Sequence, residues 1–248
     1  MLRQNDPREI SPQGDGLLKG IAVDPVIFGF HENQLKVLII EHTNTGLYAL
    51  PGGYIQEAED LDEAAKRILT MRTGLGDVYL EQFHVFGKHN RTDPEVVKEI
   101  LLGQGFTPSE DHWSLKRFIS VGYYALVDYT KTKLTTDPTT GGCDWYDFDK
   151  IPPLIFDHRF IIEKALNTLR DNLDQRLIGF NLLPAIFTMG ELHTLYETIL
   201  GKKLLSPNFQ RKMLGLGILE RIEKKKTGKA HKSPYLYRFK SGGQLEQD

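Results

Sequence analysis

The chain of 248 residues carries 31 Lys or Arg against 33 Asp or Glu, a formal net charge of −2, with 40% hydrophobic and 26% charged residues. That composition suits packed cores in two domains of ordinary size. No apolar run nears the roughly 18 residues of a membrane helix, and the single cysteine, Cys143, excludes an intramolecular disulfide and a cysteine-cluster metal site.

The polar opening MLRQNDPREISPQGDG lacks the apolar core of a signal peptide and reads as a flexible leader over 1–17. A reducing cytoplasm is the expected location. Charge is unevenly spread. Residues 201–240 hold twelve Lys or Arg and two acids, Glu220 and Glu223, for +10, so the rest sums to −12. A basic end on an acidic body suits a polyanion partner held at that end; a lysine-rich solvated surface gives the same count.

In chain order, IAVDPVIFGF, HENQ and LKVLIIEH predict a hairpin with a short polar turn. Asn44-Thr45-Gly46 and Pro51-Gly52-Gly53 punctuate a short segment, LYAL. A helix is expected from about Asp60 to Arg72, with Leu61, Ala64, Ala65, Ile68 and Arg72 on one face and Gly74 as its stop. VYLEQFHVFG reads as a strand. A polar insertion over 92–112 contains a short helix, PEVVKEILL, and the buried strand FISVGYYALVDY and the shorter CDWYDFD follow. Ile162, Leu166, Leu169 and Leu173 then mark a firm helix. Strands alternating with two long helices make an α/β domain, expected over 18–158, with a connecting helix over 159–180.

Beyond residue 180 the pattern changes, and 181–248 read as a second domain. Thr188 and Glu191 have capping-box spacing, ahead of a helix whose Leu192, Leu195, Tyr196 and Ile199 share a face and which Gly201 ends. A second helix is expected with Ser206 as cap and Pro207 in its first turn, and with Phe209, Met213 and Leu214 facing inward. GILERIE and YLYRFK are strand-like and enclose the basic KKKTGKAHKSP. Two short helices followed by a hairpin with a basic loop have the order of a winged helix.

Residues 51–75 resemble the Nudix box. Its glycine matches Gly53, its first glutamate Glu59, its arginine Arg67, and its closing pair Gly74 and Leu75. The glutamate after the arginine is Ile68 here, and the final glutamate pair is Met71 and Arg72. In active family members those glutamates hold a divalent metal, which needs oxygen ligands and neutralises phosphate charge. Glu59, Asp60, Asp62 and Glu63 remain, at a helix start where acids also stabilise through the helix dipole. The resemblance implies an α/β/α sandwich around a mixed sheet. It does not carry metal binding, a cofactor or hydrolysis across.

A Nudix-like domain followed by a small α+β winged helix-turn-helix domain resembles a bacterial regulator family that controls NAD metabolism or pentose use. FTMGELHTLYETIL, NFQRKMLGLGILER and AHKSPYLYRF carry that likeness. It implies a homodimeric, ligand-responsive repressor of a double-stranded operator. The carboxyl end and YYALV look like the sugar-responsive branch, so a pentose such as arabinose is the first expected effector, with ADP-ribose or NAD next. The alternatives are a Nudix hydrolase of ADP-ribose or a related nucleoside diphosphate, and a non-catalytic protein-interaction module.

On the second helix, Asn208 suits adenine and Arg211 suits guanine or phosphate, with Gln210 and Lys212 beside them. An ordinary amphipathic surface helix is the competing reading. Lys224, Lys225, Lys226, Lys229 and Lys232 crowd the expected wing, where lysines contact phosphate and add affinity without base choice. Tyr235, Tyr237 and Phe239 are expected to pack the sheet rather than stack on bases. Tyr54, Glu59 and Arg72 are the candidate effector contacts, Arg72 being equally suited to a structural salt bridge. Trp145 and His158 are expected in packing or hydrogen-bonding roles.

Overall fold

The structure is a computed structural model that describes residues 14–173, 182–224 and 233–240. The chain divides into two compact units, one formed by residues 1–29 and 36–166, the other by 30–35 and 167–248.

Strand β1 (Leu17–His31) and β2 (Gln34–His42) are joined through Glu32 and Asn33, both at positive φ (42° and 68°). A two-residue turn with two such residues matches the twist of antiparallel strands. Leu17, expected in the leader, is already strand and buried. β3 (Tyr48–Ala49), β4 (Gly53–Gln56), β5 (Glu81–Phe86), β6 (Ile119–Val127) and β7 (Thr140–Asp147) complete a seven-stranded sheet. Its main path runs β3-β2-β1-β6-β5, with β4 on β1 and β7 on β2. β1 and β6 are parallel from Ile21↔Ile119 to Gly29↔Val127, while the other registered pairs are antiparallel, so the sheet is mixed as expected.

Helix α1 (Leu61–Thr73) starts at Asp60, whose N–H is taken by the Glu63 carboxylate at 3.1 Å. It ends on Gly74 at φ 77°, a conformation that favours glycine, and a Cβ there would collide with Thr135. Its buried face is Ala64, Ala65, Ile68, Leu69 and Thr73. This corrects the expected face, from which Leu61 and Arg72 drop out and which Leu69 and Thr73 join. Leu61 sits in the first turn and is 38% exposed, and Leu69, one turn beyond Ala65, takes the core place. α1 packs with Val23, Ile27, Leu38, Ile55, Val121 and Tyr123 of the sheet in one core. Helix α2 (Pro94–Gly103) opens on Asp93, which accepts the Glu95 N–H at 3.0 Å, and on a proline in the first turn. Helix α3 (His158–Asn172) buries Ile161, Ile162, Ala165, Leu166 and Leu169. The division between the units falls within it, after Leu166.

The second unit holds β8 (Phe187–Thr188), α4 (Met189–Leu200), α5 (Ser206–Gly215), β9 (Leu219–Lys224) and β10 (Tyr235–Phe239). The strands form a sheet in the order β8-β10-β9. Thr188 and Glu191 make the reciprocal cap, and Leu192, Leu195, Tyr196 and Ile199 are buried with Phe187, Phe209, Met213, Leu219 and Tyr237. Three expectations change. The cap of α5 is Leu205 and Ser206 is its first residue. Leu214 is 45% exposed, because Phe209 and Met213, four apart, already fill the inward stripe. Of the alternating aromatics of β10, Tyr237 is buried and the Phe239 ring packs at a tilt on Phe187, centroids 4.8 Å apart, but Tyr235 lies exposed.

Candidate functional site

The first unit places the three expected effector contacts at or beside α1, and each is already engaged. The Glu59 carboxylate accepts the Gln56 N–H at 2.7 Å and Arg67 through Nε (2.8 Å) and Nη2 (2.5 Å). Burial pushes this carboxyl upward, but the bonds from Arg67 and Gln56 outweigh it and hold it below its ordinary range. Arg67 Nη2 also donates to the Tyr54 carbonyl at 2.9 Å. The Tyr54 ring meets Trp113 edge-on at 4.7 Å and Phe118 at 5.6 Å, and burial, followed by the Asp24 charge, raises its phenol. Trp113 therefore packs on Tyr54, while His112 caps its own turn by accepting the Ser114 N–H.

Ile68 is 1% exposed and presses on Gly53, where a Cβ would stand 3.1 Å from Ile68 Cγ2. A side chain at Gly53 would therefore crowd Ile68. Met71 receives Arg67 Nη1 at its sulfur at 3.5 Å. Arg72 lies in a cage of oxygens. Nε donates to the Gly52 carbonyl at 3.3 Å, Nη1 donates to the Thr139 and Thr140 hydroxyls, and Asp137 Oδ1 is 3.6 Å from Nη1. These acceptors come from the loop before β4, from the approach to β7 and from its first residue, brought beside the last turn of α1. Of the two roles open for Arg72, the geometry is that of a structural salt bridge.

Beneath this region lies a buried polar cluster. Asp24 accepts from the Ser120 hydroxyl at 2.5 Å and from Arg91 Nη2 at 3.4 Å. Arg91 also grips Asp157, through Nε at 3.1 Å and Nη2 at 2.8 Å, with Cζ 5.0 Å from the Phe118 ring centroid. Its Nη1 is buried and has no hydrogen-bond partner among the described residues. His158 accepts the Leu50 N–H on Nδ1 at 3.0 Å, the hydrogen-bonding role expected of it. Burial lowers its pKa, as it does for His42, which is brought to about 3 by burial, then Arg72 and His158. Both rings are neutral at pH 7. The Trp145 ring packs near Tyr129, tilted at 40° with centroids 5.9 Å apart.

Sequence reading missed Asp24, Arg91, Asp137 and Asp157. Arg91 stands 67 positions from Asp24 and 66 from Asp157, so no local spacing joins them. The one available signal was an arginine directly before the Thr-Asp-Pro start of α2. Among the described residues, no group of three or more His, Cys, Asp or Glu is arranged to hold a metal ion.

In the second unit, α5 is anchored by Phe209 against His193 (4.9 Å) and Tyr196 (5.1 Å) of α4. The connecting turn is tied by Glu197, which accepts the Leu204 N–H at 2.8 Å and Lys203 Nζ at 2.9 Å. His193 Nε2 lies 3.1 Å from the Leu204 carbonyl. With Phe209 and Met213 inward, Asn208, Arg211 and Lys212 share the outward side and Gln210 flanks it; all four are exposed. Lys224 is exposed at the end of β9, its Nζ 5.5 Å from the Tyr235 ring, and the Arg221 guanidinium lies 4.4 Å from the same ring. Tyr235 therefore offers its ring to two cations, at the end of β10 and beyond a register shift that separates it from Tyr237. Lys225, Lys226, Lys229 and Lys232 lie outside the described residues.

Residues 179–239 match the family described as the NrtR DNA-binding winged helix domain. Over 227 residues, 88% of this chain and 81% of the relative, the chain is 29% identical to the ADPR responsive transcriptional repressor NtrR of Acinetobacter baylyi. The crystal structure of Shewanella oneidensis NrtR complexed with a 27mer DNA is similar at a TM-score of 0.62 and 26% identity, covering 89% of this chain and 93% of that one. A MutT/nudix family protein from Enterococcus faecalis shares the fold at a TM-score of 0.66 and 21% identity, over 96% of this chain and 90% of that one. The chain is thus NrtR-like: a Nudix fold followed by a C-terminal winged helix.

Proposed function

We propose, from this NrtR-like architecture, that the protein is an ADP-ribose-responsive transcriptional repressor that binds operator DNA through its winged helix. The observation that carries the reading is α5. It lies within the stretch matching a DNA-binding winged helix, and it turns Asn208, Arg211 and Lys212 away from the core, with Gln210 beside them. Such a helix reads base edges in the major groove, while lysines at the adjoining wing hold phosphates. A homodimer supplies two such helices to one operator. A cytoplasmic location follows from that partner, and among the described residues no helix is long and apolar enough to cross a membrane.

The effector is ADP-ribose. A pentose such as arabinose was the first expectation, but nothing in the comparisons supports the sugar-responsive branch, and the matched repressor is ADPR responsive. Ligand binding changes DNA affinity only if the two states bind the ligand differently. The first unit acts as a sensor without hydrolysis. Ile68 is built into the core, Met71 carries no carboxylate and Arg72 holds its own oxygens, so three family metal-binding positions do other work.

The reading is tested by selecting a duplex from a randomised pool and following its binding by fluorescence anisotropy. Sequence-selective binding that ADP-ribose weakens and arabinose leaves unchanged is the expected result. Equal binding to selected and scrambled duplexes would remove the regulator reading.

A further inference from the structure

We infer that Arg221 is a further contact to the DNA backbone, held in position by the ring of Tyr235. The inference rests on the operator-binding reading above and extends its surface from α5 to the hairpin of β9 and β10.

That hairpin is not regular. Tyr237 is registered opposite Arg221, and Tyr235 opposite Lys224. Two steps along β10 thus match three along β9, so β9 carries one extra residue, a bulge. In a regular strand Arg221 and Lys224, three apart, would point to opposite faces. The bulge cancels that alternation, and both side chains reach one ring. The Arg221 guanidinium carbon lies 4.4 Å from the Tyr235 centroid and Lys224 Nζ lies 5.5 Å from it. Bulges re-aim side chains in this way beside functional sites.

The two charges gathered there are not neutralised by the hairpin. Glu220 is taken by Arg238 at 2.8 Å. Glu223, the other acid of β9, forms an ion pair with neither Arg221 nor Lys224 among the described residues. Arg221, Lys224 and Tyr235 are all exposed. Two like charges at one ring repel each other, so the arrangement favours an anion brought from outside. A guanidinium lying over a ring keeps its N–H edge free, and that edge matches two oxygens of a phosphate.

The anion is a DNA backbone phosphate. The hairpin lies within residues 179–239, which match a DNA-binding winged helix, and the chain continues from Lys224 into Lys225 and Lys226. Such a contact adds affinity without base choice. Tyr235 is a positioning residue: it restricts Arg221 before DNA arrives and so lowers the ordering cost of binding.

Fluorescence anisotropy of the full chain over a salt series, with the selected and scrambled duplexes, tests both roles. Arg221→Ala should raise Kd for both duplexes alike and lower the salt slope by about one. Tyr235→Leu should raise Kd about two- to fivefold with the slope unchanged, because the charge remains. Tyr235→Phe keeps the ring and should bind like the parent. In the double variant Arg221→Ala, Tyr235→Leu the two losses should combine to less than their product, since the ring acts through Arg221. If Arg221→Ala keeps the parental affinity and slope, the contact is overturned and the regulator reading survives. If it weakens the selected duplex alone, Arg221 reads a base and the phosphate assignment is overturned. If Tyr235→Phe weakens binding as much as Tyr235→Leu, or if the two losses multiply, the role of the ring is overturned. If the parent binds neither duplex, the regulator reading falls, and this contact with it.

Discussion

Arg72 Nε donates to the Gly52 carbonyl at 3.3 Å, so the last turn of α1 is fastened to the loop before β4 by a side chain where the Nudix pattern has a glutamate. The same guanidinium answers the Thr139 and Thr140 hydroxyls and Asp137. Arg72→Ala would leave the largely buried Asp137 carboxylate without its cation, though still bonded by Thr139, and would take the Arg72 donor from the Gly52 carbonyl and the Thr139 and Thr140 hydroxyls. The expected loss is about 2–4 kcal/mol, below the limit for a fully buried pair because water reaches Asp137 in part. Arg72→Lys keeps the charge but not the fork and should recover less than half of it. Urea unfolding of the three proteins measures both. A loss below about 0.5 kcal/mol for Arg72→Ala would mean the cage contributes nothing to the fold.

Ile68→Glu restores one acidic position of the box but should not create a hydrolase. Ile68 is packed against Gly53 in the core, so the new carboxylate would be buried without a partner. The expected outcome is destabilisation by at least about 2 kcal/mol, with no magnesium- or manganese-dependent turnover of ADP-ribose. Denaturant unfolding and a phosphate-release assay coupled to a phosphatase check the two halves. Parent protein that turns over ADP-ribose, with loss in Glu59→Gln, would overturn the non-catalytic reading.

Stability should fall in mild acid because of the buried histidines. His42 is neutral in the fold, with its pKa lowered to about 3 by burial, then Arg72 and His158, while in the unfolded chain it titrates near 6.5. Between those values the unfolded state binds the extra proton, so unfolding free energy rises with pH across this window. The stabilisation is complete above about pH 6.5 and is lost as pH falls toward 3. One such group gives a slope of up to about 1.4 kcal/mol per pH unit. His42→Gln should flatten the profile between pH 4 and 6, as read by urea midpoints at each pH. An unchanged slope would show that His42 is not the group responsible.

The two parts of the winged helix should respond differently to substitution. Arg211→Ala, if Arg211 pairs with guanine, should cost roughly 1–3 kcal/mol on the operator and relax base preference at one position. Lys224→Ala at the end of β9 should weaken operator and scrambled duplexes alike and lower the salt slope by about one. Anisotropy over a salt series distinguishes them. Equal weakening of both duplexes by Arg211→Ala would make Arg211 a phosphate contact.

Glu197 holds the turn that presents α5, through the Leu204 N–H and Lys203. Glu197→Ala should reduce operator affinity several-fold without altering base preference, because it loosens the angle of the helix and removes no base contact. Anisotropy against the selected and single-base-variant duplexes reads both properties. A changed base preference would place Glu197 at the DNA.

Much of this protein was legible in residues three or four apart. The caps at Thr188 and Glu191, the stop at Gly74, and the buried stripe of α4 depend on local contacts, so their spacing predicts them. The mixed sheet and the winged helix followed from the order of such elements and their resemblance to known patterns. Sequence also showed that Ile68, Met71 and Arg72 stand where the box has carboxylates. It did not show what they do instead. Two-residue strands such as Phe187–Thr188 have no period to detect, and they exist only because β10 lies alongside. Tyr235 alternates like a core residue, but a register shift separates it from Tyr237 and it lies exposed against Arg221 and Lys224. The cluster of Asp24, Arg91 and Asp157 joins residues from β1, from the approach to α2 and from the approach to α3. Burial of an arginine depends on carboxylates arriving from distant parts of the chain. Its charge is therefore readable from sequence, but its partners, and the donor left over, are decided by the tertiary fold.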